Sequence, residues 1–213
     1  MNSEISILIL SIFFIFAVIA TGLLLYKKKL INTEGARKFI HIGVSNWIFF
    51  WYFGLFGLFY SIIGPLFFIG ANIFFIFTPL RSLLGLNNVK RDMGLVYFPI
   101  ALSLLVFLSY KGIVPREITL CSILAMGYGD GFAAFLGQKW GKHQYKILGN
   151  KKSVEGSLVM LIMLILICLI FLDLPFNKVL ILAFIPTFLE AFVGLGLDNL
   201  AVPLSFALLG TLL

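Results

Sequence analysis

Charge is scarce in this chain. Only 12% of its 213 residues are Asp, Glu, Lys or Arg, about half the 25% or so that soluble domains carry. Nine acids in all make each one worth explaining. Cysteine is nearly absent too: Cys121 and Cys168 both lie inside apolar runs and read as buried thiols, not as a disulfide or a metal pair. With only two histidines, no zinc site is read from them. There is no Gly-x-x-x-x-Gly-Lys-Ser/Thr run and no Gly-x-Gly-x-x-Gly after a strand, which removes the standard nucleotide folds. Repeats, low-complexity tails and long linkers are missing. The first apolar run, 5–26, has no basic segment before it and no clear small-residue cleavage site; it reads as a retained helix and not a signal peptide.

What is present in excess is apolar surface: 61% hydrophobic residues and a mean hydropathy of +1.09. The runs are continuously apolar and do not alternate, so helices, not barrel strands, are expected. The fold class read from this is all-α: a polytopic transmembrane helical bundle of about eight spans, with seven as the fallback count, forming one membrane domain over 1–213. The spans fall near 5–26, 38–54, 56–78, 93–110, 116–137, 154–173, 177–195 and 199–213. Thirteen of the sixteen basic residues then fall on one side, in the loops holding Lys27–Lys29 with Arg37 and Lys38, Arg81 with Lys90 and Arg91, and Lys139 to Lys152. Only Lys111, Arg116 and Lys178 fall on the other. By the positive-inside rule the N-terminus is outside and the basic loops are cytosolic. The net charge of +7 therefore reports orientation and does not call for nucleic acid. Six of the nine acids, Glu34, Asp92, Asp130, Glu155, Glu190 and Asp198, lie at or near the cytosolic ends of the spans.

Four polar islands carry the chemistry. Asp130 stands between Gly129 and Gly131 with no basic residue within four positions; a carboxylate embedded in a membrane helix is functional by default. Gly127, Asp130, Ala134, Gly137 and Gly141 recur every three or four residues, a small-residue stripe that also suits helix packing. Arg37, Lys38 and His41 share a helical face. Membrane anchoring explains the two cations but leaves His41, a turn deeper, unexplained. Lys151 and Lys152 precede Ser153 and Glu155 at a helix start. Ser153 suits an N-cap and Glu155 the first turn, and the same N-terminus with two lysines suits an anion. Glu190 interrupts an apolar run ahead of Gly194-Leu-Gly-Leu-Asp198-Asn199, where the glycines should break the helix. A carboxylate for a metal, lysines for phosphate and glycines for close approach make up a phosphate-handling site.

Taken in order, Arg37-Lys-x-x-His41, Gly129-Asp130-x-x-Ala-Ala, Gly137-x-x-x-Gly141-Lys, Lys152-Ser-x-Glu155-Gly-Ser and Gly196-x-Asp198-Asn199-x-x-x-Pro203-Leu resemble the polyprenol kinase family. That family includes dolichol, phytol and farnesol kinases and the CTP-dependent diacylglycerol kinase, with phosphatidate cytidylyltransferase a more distant relative. The motif-bearing part covers 33–204. The resemblance implies a membrane enzyme that uses Mg²⁺ and transfers the γ-phosphate of CTP, or of another nucleoside triphosphate, to a polyprenol, a phytol-like alcohol or diacylglycerol at the cytosolic face. In that reading Asp130, Asp198 and Glu155 are metal ligands, and Asp130, His41 and Glu190 are catalytic. Arg37, Lys38, Lys151, Lys152, Ser153 and Asn199 bind nucleotide and phosphate. His41 or a carboxylate deprotonates the hydroxyl, and the sequence does not choose between them. The partners are the lipid alcohol, the nucleotide and the bilayer, the plasma membrane in a prokaryote; a homodimer is left open. The alternatives are CDP-lipid synthesis of the phosphatidate cytidylyltransferase kind, although Leu197-Asp198-Asn199-Leu200 departs from that family's Asp-Arg-x-Asp signature, and a lipid or ion transporter.

Overall fold

The structure, a computed structural model, describes residues 3–54, 57–79, 88–147 and 150–213. Arg81, counted in the charge asymmetry, lies outside them. Among the described residues the fold is all-α apart from one pair of short strands. Its helices are α1 (Ser3–Lys27), α2 (Thr33–Ser45), α3 (Trp47–Phe53), α4 (Leu58–Phe77), α5 (Val89–Asp92), α6 (Gly94–Tyr110), α7 (Arg116–Leu124), α8 (Gly131–Trp140), α9 (Val154–Phe171), α10 (Phe176–Phe192) and α11 (Asp198–Leu212). A π-helical turn, Ala125–Asp130, joins α7 to α8.

Among the described residues five helical stretches are long and apolar enough to cross a bilayer: Glu4–Lys27, Leu58–Phe77, Val89–Tyr110, Arg116–Trp140 and Val154–Phe171. The other three expected spans are shorter or interrupted. The second is split at Asn46, whose side chain donates back to the Ile42 carbonyl at 2.9 Å, so that α2 and α3 form a broken rod. The last two are α10, of 17 residues, and α11, of 15.

Helices α8, α9, α10 and α11 pack in sequence, α11 also packs on α6 and α7, and α1 and α4 flank the group against α2 and α6. The core is built of Trp47, Ile48 and Trp51 from α3, Leu102 and Leu105 from α6, Met126 from the π-turn, Met160 and Leu164 from α9, and Phe206 from α11. Large apolar side chains such as Phe13, Phe67, Ile170 and Phe184 remain exposed, the expected pattern where lipid and not water surrounds the helices. Within the stretch holding Lys139 to Lys152, expected as a loop, two strands pair antiparallel, β1 (Gln144–Ile147) with β2 (Asn150–Ser153), and Tyr145 pairs with Lys152.

The helix starts explain where the polar groups collect. Asn32 caps α2 by accepting from the Gly35 amide (2.7 Å), and Ser153 caps α9 by accepting from the Gly156 amide (3.1 Å). Asn88 caps α5 while the Asp92 carboxylate accepts from the Asn88 amide in return (3.0 Å). Such caps satisfy amides that a helix leaves unpaired. They set the starts of α2, α5–α6 and α9 at one end of the bundle, where α11 also starts. Two close approaches depend on glycine. A Cβ on Gly127 would stand 2.0 Å from Ser45 Oγ, so the π-turn lies directly on α2. Gly196 has φ +85°, and a Cβ there would lie 2.5 Å from the Gly94 amide nitrogen, which locks the turn before α11 onto the start of α6.

Candidate active site

Three carboxylates meet at that end. The ligand oxygens of Asp130, Glu190 and Asp198 lie within 4.8 Å of one another, from the π-turn, the last turn of α10 and the first residue of α11. Asp130 and Glu190 are buried and Asp198 is half-buried. Like charges this close repel strongly in a medium of low dielectric, so the cluster needs cations.

The chain supplies two, both from distant segments. Lys38 on α2 forms an ion pair with Asp130. It is only 9% exposed, so it does not snorkel to the surface as a membrane-anchoring lysine would. Lys152 on β2 pairs with the Glu190 carboxylate and also donates to the Glu190 carbonyl. Asp198 has no ion pair among the described residues; its carboxylate accepts from the Asn199 amide at 3.1 Å. With His41 neutral, three acids against two lysines leave one negative charge over.

His41 completes the wall on the α2 side. Its Nε2 lies 3.9 Å from Asp130 Oδ2, too long for a hydrogen bond, and is buried without a partner. The ring packs edge-on against Phe98 with centroids 5.0 Å apart. A buried, unpartnered ring nitrogen beside a carboxylate cluster can accept a proton.

The other expected site residues divide. Asn199 is adjacent to the cluster, its side-chain amide donating to the Gly196 carbonyl (3.1 Å) and to Asp198 Oδ1 (3.3 Å). Ser153 is nearby but is used as the α9 cap, wedged against Gly137 and Gly141. Lys151 lies in β2, and its side chain is outside the described residues. Arg37 turns to Glu34, at 2.6 Å. Glu155, expected to ligate metal, is not brought to the cluster: its carboxylate meets His143 Nδ1 at 2.7 Å on the outer side of the strand pair. Glu190, expected among the catalytic residues, is the third member of the carboxylate group in its place.

Three features escaped the sequence reading. The π-turn is one: its wider winding aims Gly127 and Gly131 at α2 and Gly129 at Met160 and Leu164 of α9, with Asp130 between the two. Its six residues, Ala-Met-Gly-Tyr-Gly-Asp, carry no period that would announce it. The second is the strand pair that delivers Lys152. The third is Arg91, which pairs with Glu34 and entered the sequence reading only through the charge asymmetry of the loops.

The carboxylate group offers oxygen donors alone, with Asp130 and Glu190 buried and Asp198 half-buried. That donor set suits Mg²⁺, a hard cation that takes few protein ligands and keeps waters.

The chain is 33% identical over 202 residues to the phytol kinase of Synechocystis sp., a match covering 91% of this chain and 85% of that protein. It is also 34% identical over 113 residues to the CTP-dependent diacylglycerol kinase 1 of Schizosaccharomyces pombe, covering 46% of this chain and 51% of that protein. No family model and no solved structure matches it.

Proposed function

The chain belongs to the polyprenol and phytol kinase family, and from that premise we propose that it transfers the γ-phosphate of CTP, or of another nucleoside triphosphate, to a lipid alcohol at the cytosolic membrane face. The acceptor is a polyprenol, a phytol-like alcohol or diacylglycerol. The convergence of Asp130, Glu190 and Asp198 with Lys38 and Lys152 at one bundle end carries the reading. Five buried or half-buried charges gathered at one bundle end, and not spread through mid-membrane on several spans, support an interfacial site over an ion pathway.

The bundle crosses the bilayer eight times with its N-terminus outside, counting the broken α2–α3 rod, α10 and α11 as spans. The thirteen-to-three charge asymmetry supports this orientation. The carboxylate group sits at the end where the basic loops lie, and so opens to the cytosol.

In the reaction, the hydroxyl oxygen of the lipid alcohol forms a bond to the γ-phosphorus while the bond to the β–γ bridging oxygen breaks. The products are a lipid monophosphate and a nucleoside diphosphate. Transfer of this kind depends mostly on positioning and charge neutralisation. Asp130, Glu190 and Asp198 would hold Mg²⁺, which would supply neutralisation of phosphate charge. Lys38 and Lys152, already fixed at the cluster, donate to phosphate oxygens. His41 Nε2 takes the proton from the attacking hydroxyl; it is the unpartnered acceptor at the site. Asn199 holds the Asp198 carboxylate in place. The acceptor's hydrocarbon tail stays in the bilayer beside α9 and α10, whose outer faces are apolar.

Incubating the full chain in lipid nanodiscs with γ-labelled CTP or ATP and a panel of lipid alcohols tests this. Label should move to lipid, with a nucleoside diphosphate as co-product. Release of pyrophosphate with formation of a CDP-lipid would place the chain with the cytidylyltransferases instead. Absence of any nucleotide turnover across the panel would refute the enzyme reading.

A further inference from the structure

Beside the carboxylate group lies a second charged constellation that the reaction above does not use. Glu34, in the first turn of α2, is flanked by two guanidinium groups. Arg37 approaches Oε1 at 2.6 Å, and Arg91 of α5 pairs with Oε2. One carboxylate thus holds two arginines by its two oxygens. The group is reachable from water, with the Arg91 side chain 50% exposed and Arg37 and Glu34 near 30%. Yet Arg37 Nε is buried with no partner, a donor left over after Glu34 has been served.

The constellation is tied to the carboxylate group on both sides. Arg37 is the neighbour of Lys38, which pairs with Asp130. The Arg91 carbonyl lies against Gly196, where an added Cβ would approach it to 2.9 Å, and Gly196 is two residues before Asp198. So Arg91 is fixed to the turn that presents Asp198, and Arg37 to the helix that presents Lys38 and His41.

Two forked guanidinium groups converging on one anionic centre form a geometry suited to phosphate, and arginine's planar fork matches phosphate oxygens in pairs. The three side chains together carry one positive charge, and a nucleoside triphosphate brings about four negative ones. We propose that Arg91 and Arg37 form a clamp for the distal phosphates of the nucleotide, and that Glu34 is the internal anion that holds the clamp together until the nucleotide displaces it. The assignment rests on the nucleotide-dependent reading above and adds two residues to it, Arg91 as a binding group and Glu34 as its competitor.

Binding of inorganic tripolyphosphate to the full chain in nanodiscs, measured by calorimetry alongside the nucleotide KM, tests the clamp. Arg91→Gln should weaken tripolyphosphate binding and raise the nucleotide KM by about 10- to 100-fold, the loss expected for one or two charge-assisted hydrogen bonds. The lipid KM should stay unchanged. Arg91→Lys should restore only part of the loss, because an ammonium cannot fork. Glu34→Gln separates clamp from scaffold: loss of the competing charge should leave tripolyphosphate affinity equal or tighter, whereas a purely structural bridge would make it mimic Arg91→Gln. Parental binding by Arg91→Gln, or weakened binding by Glu34→Gln, overturns the clamp and leaves the kinase reading intact. Tripolyphosphate binding that depends on Arg91 in a chain with no transfer activity overturns the kinase reading and leaves the clamp. No tripolyphosphate binding by the parent chain overturns the clamp, and label transfer to lipid then decides the kinase reading by itself.

Discussion

Replacing Asp130 by Asn separates the structural and chemical uses of one carboxylate. The change removes a negative charge, keeps the volume, and leaves Lys38 in a site where its side chain is only 11% exposed. Removing one partner of a buried ion pair costs about 3–5 kcal/mol, because the other charge stays buried and uncompensated. Here the cost is reduced. The Asp198 carboxylate lies within 4.8 Å of the Asp130 ligand oxygen and has no lysine of its own among the described residues, so Lys38 has a second anion in reach. We therefore expect Asp130→Asn to destabilise the chain by about 2–3 kcal/mol, below the usual range for a broken buried pair. Turnover should fall by about 10²–10³-fold or more, the scale on which a charge-stabilising group is lost from an active site. The double variant Lys38→Met with Asp130→Leu replaces the pair by apolar side chains. It should recover stability to within about 1 kcal/mol of the parent, since a buried pair is often no better than well-packed apolar residues, and it should remain inactive. Thermal unfolding in nanodiscs and label transfer to lipid read the two quantities separately. Near-parental turnover in Asp130→Asn would refute the role of the carboxylate. A double variant less stable than the single one would refute the charge-compensation argument.

Three further outcomes follow from the placement of single residues. Glu155→Gln should change the transfer rate by less than about twofold, because its carboxylate is spent on His143 as a surface pair; Glu190→Gln, assayed beside it, should lose activity on the scale of Asp130→Asn. Gly196→Ala places a Cβ 2.5 Å from the Gly94 amide nitrogen at φ +85°, and should cost about 2–4 kcal/mol in thermal unfolding, with a raised nucleotide KM because Arg91 and Asp198 both move.

The membrane class was legible from composition and continuous apolar runs, and the site's acids from their cost. Asp130 and Glu190 are expensive in hydrocarbon whatever surrounds them, so one sequence is enough to mark them. The helix break before Asp198 was equally plain, from Gly194 and Gly196. Partnership was not legible. Glu155 was expected as a metal ligand and Glu190 as a catalytic group, and only the fold separates their surroundings: α10 carries Glu190 to Asp130, while His143 meets the Glu155 carboxylate. Lys38 looked like an interfacial anchor because the ion pair that buries it joins positions 92 apart in the chain, a distance over which local pattern carries no information.

The π-turn shows why these errors belong together. An α-helical reading of Gly127 to Gly141 puts Asp130 on the small-residue stripe that packs against a neighbouring helix. A carboxylate on such a face would be buried against backbone and sealed off. The extra residue in the turn Ala125–Asp130 shifts the winding, so that the glycines on either side of Asp130 divide between α2 and α9. Asp130 is then left facing the seam where α2, α10 and α11 meet. The stripe itself divides in the fold: Gly127 faces α2, where Lys38 meets Asp130, whereas Gly137 and Gly141 face the start of α9. The glycines let two helices close in, and the gap between those helices is where Lys38 reaches Asp130. In this chain close packing and charge are therefore one device: the small residues bring the π-turn near enough to α2 for a lysine placed far away in the sequence to neutralise an acid that the membrane would otherwise not tolerate.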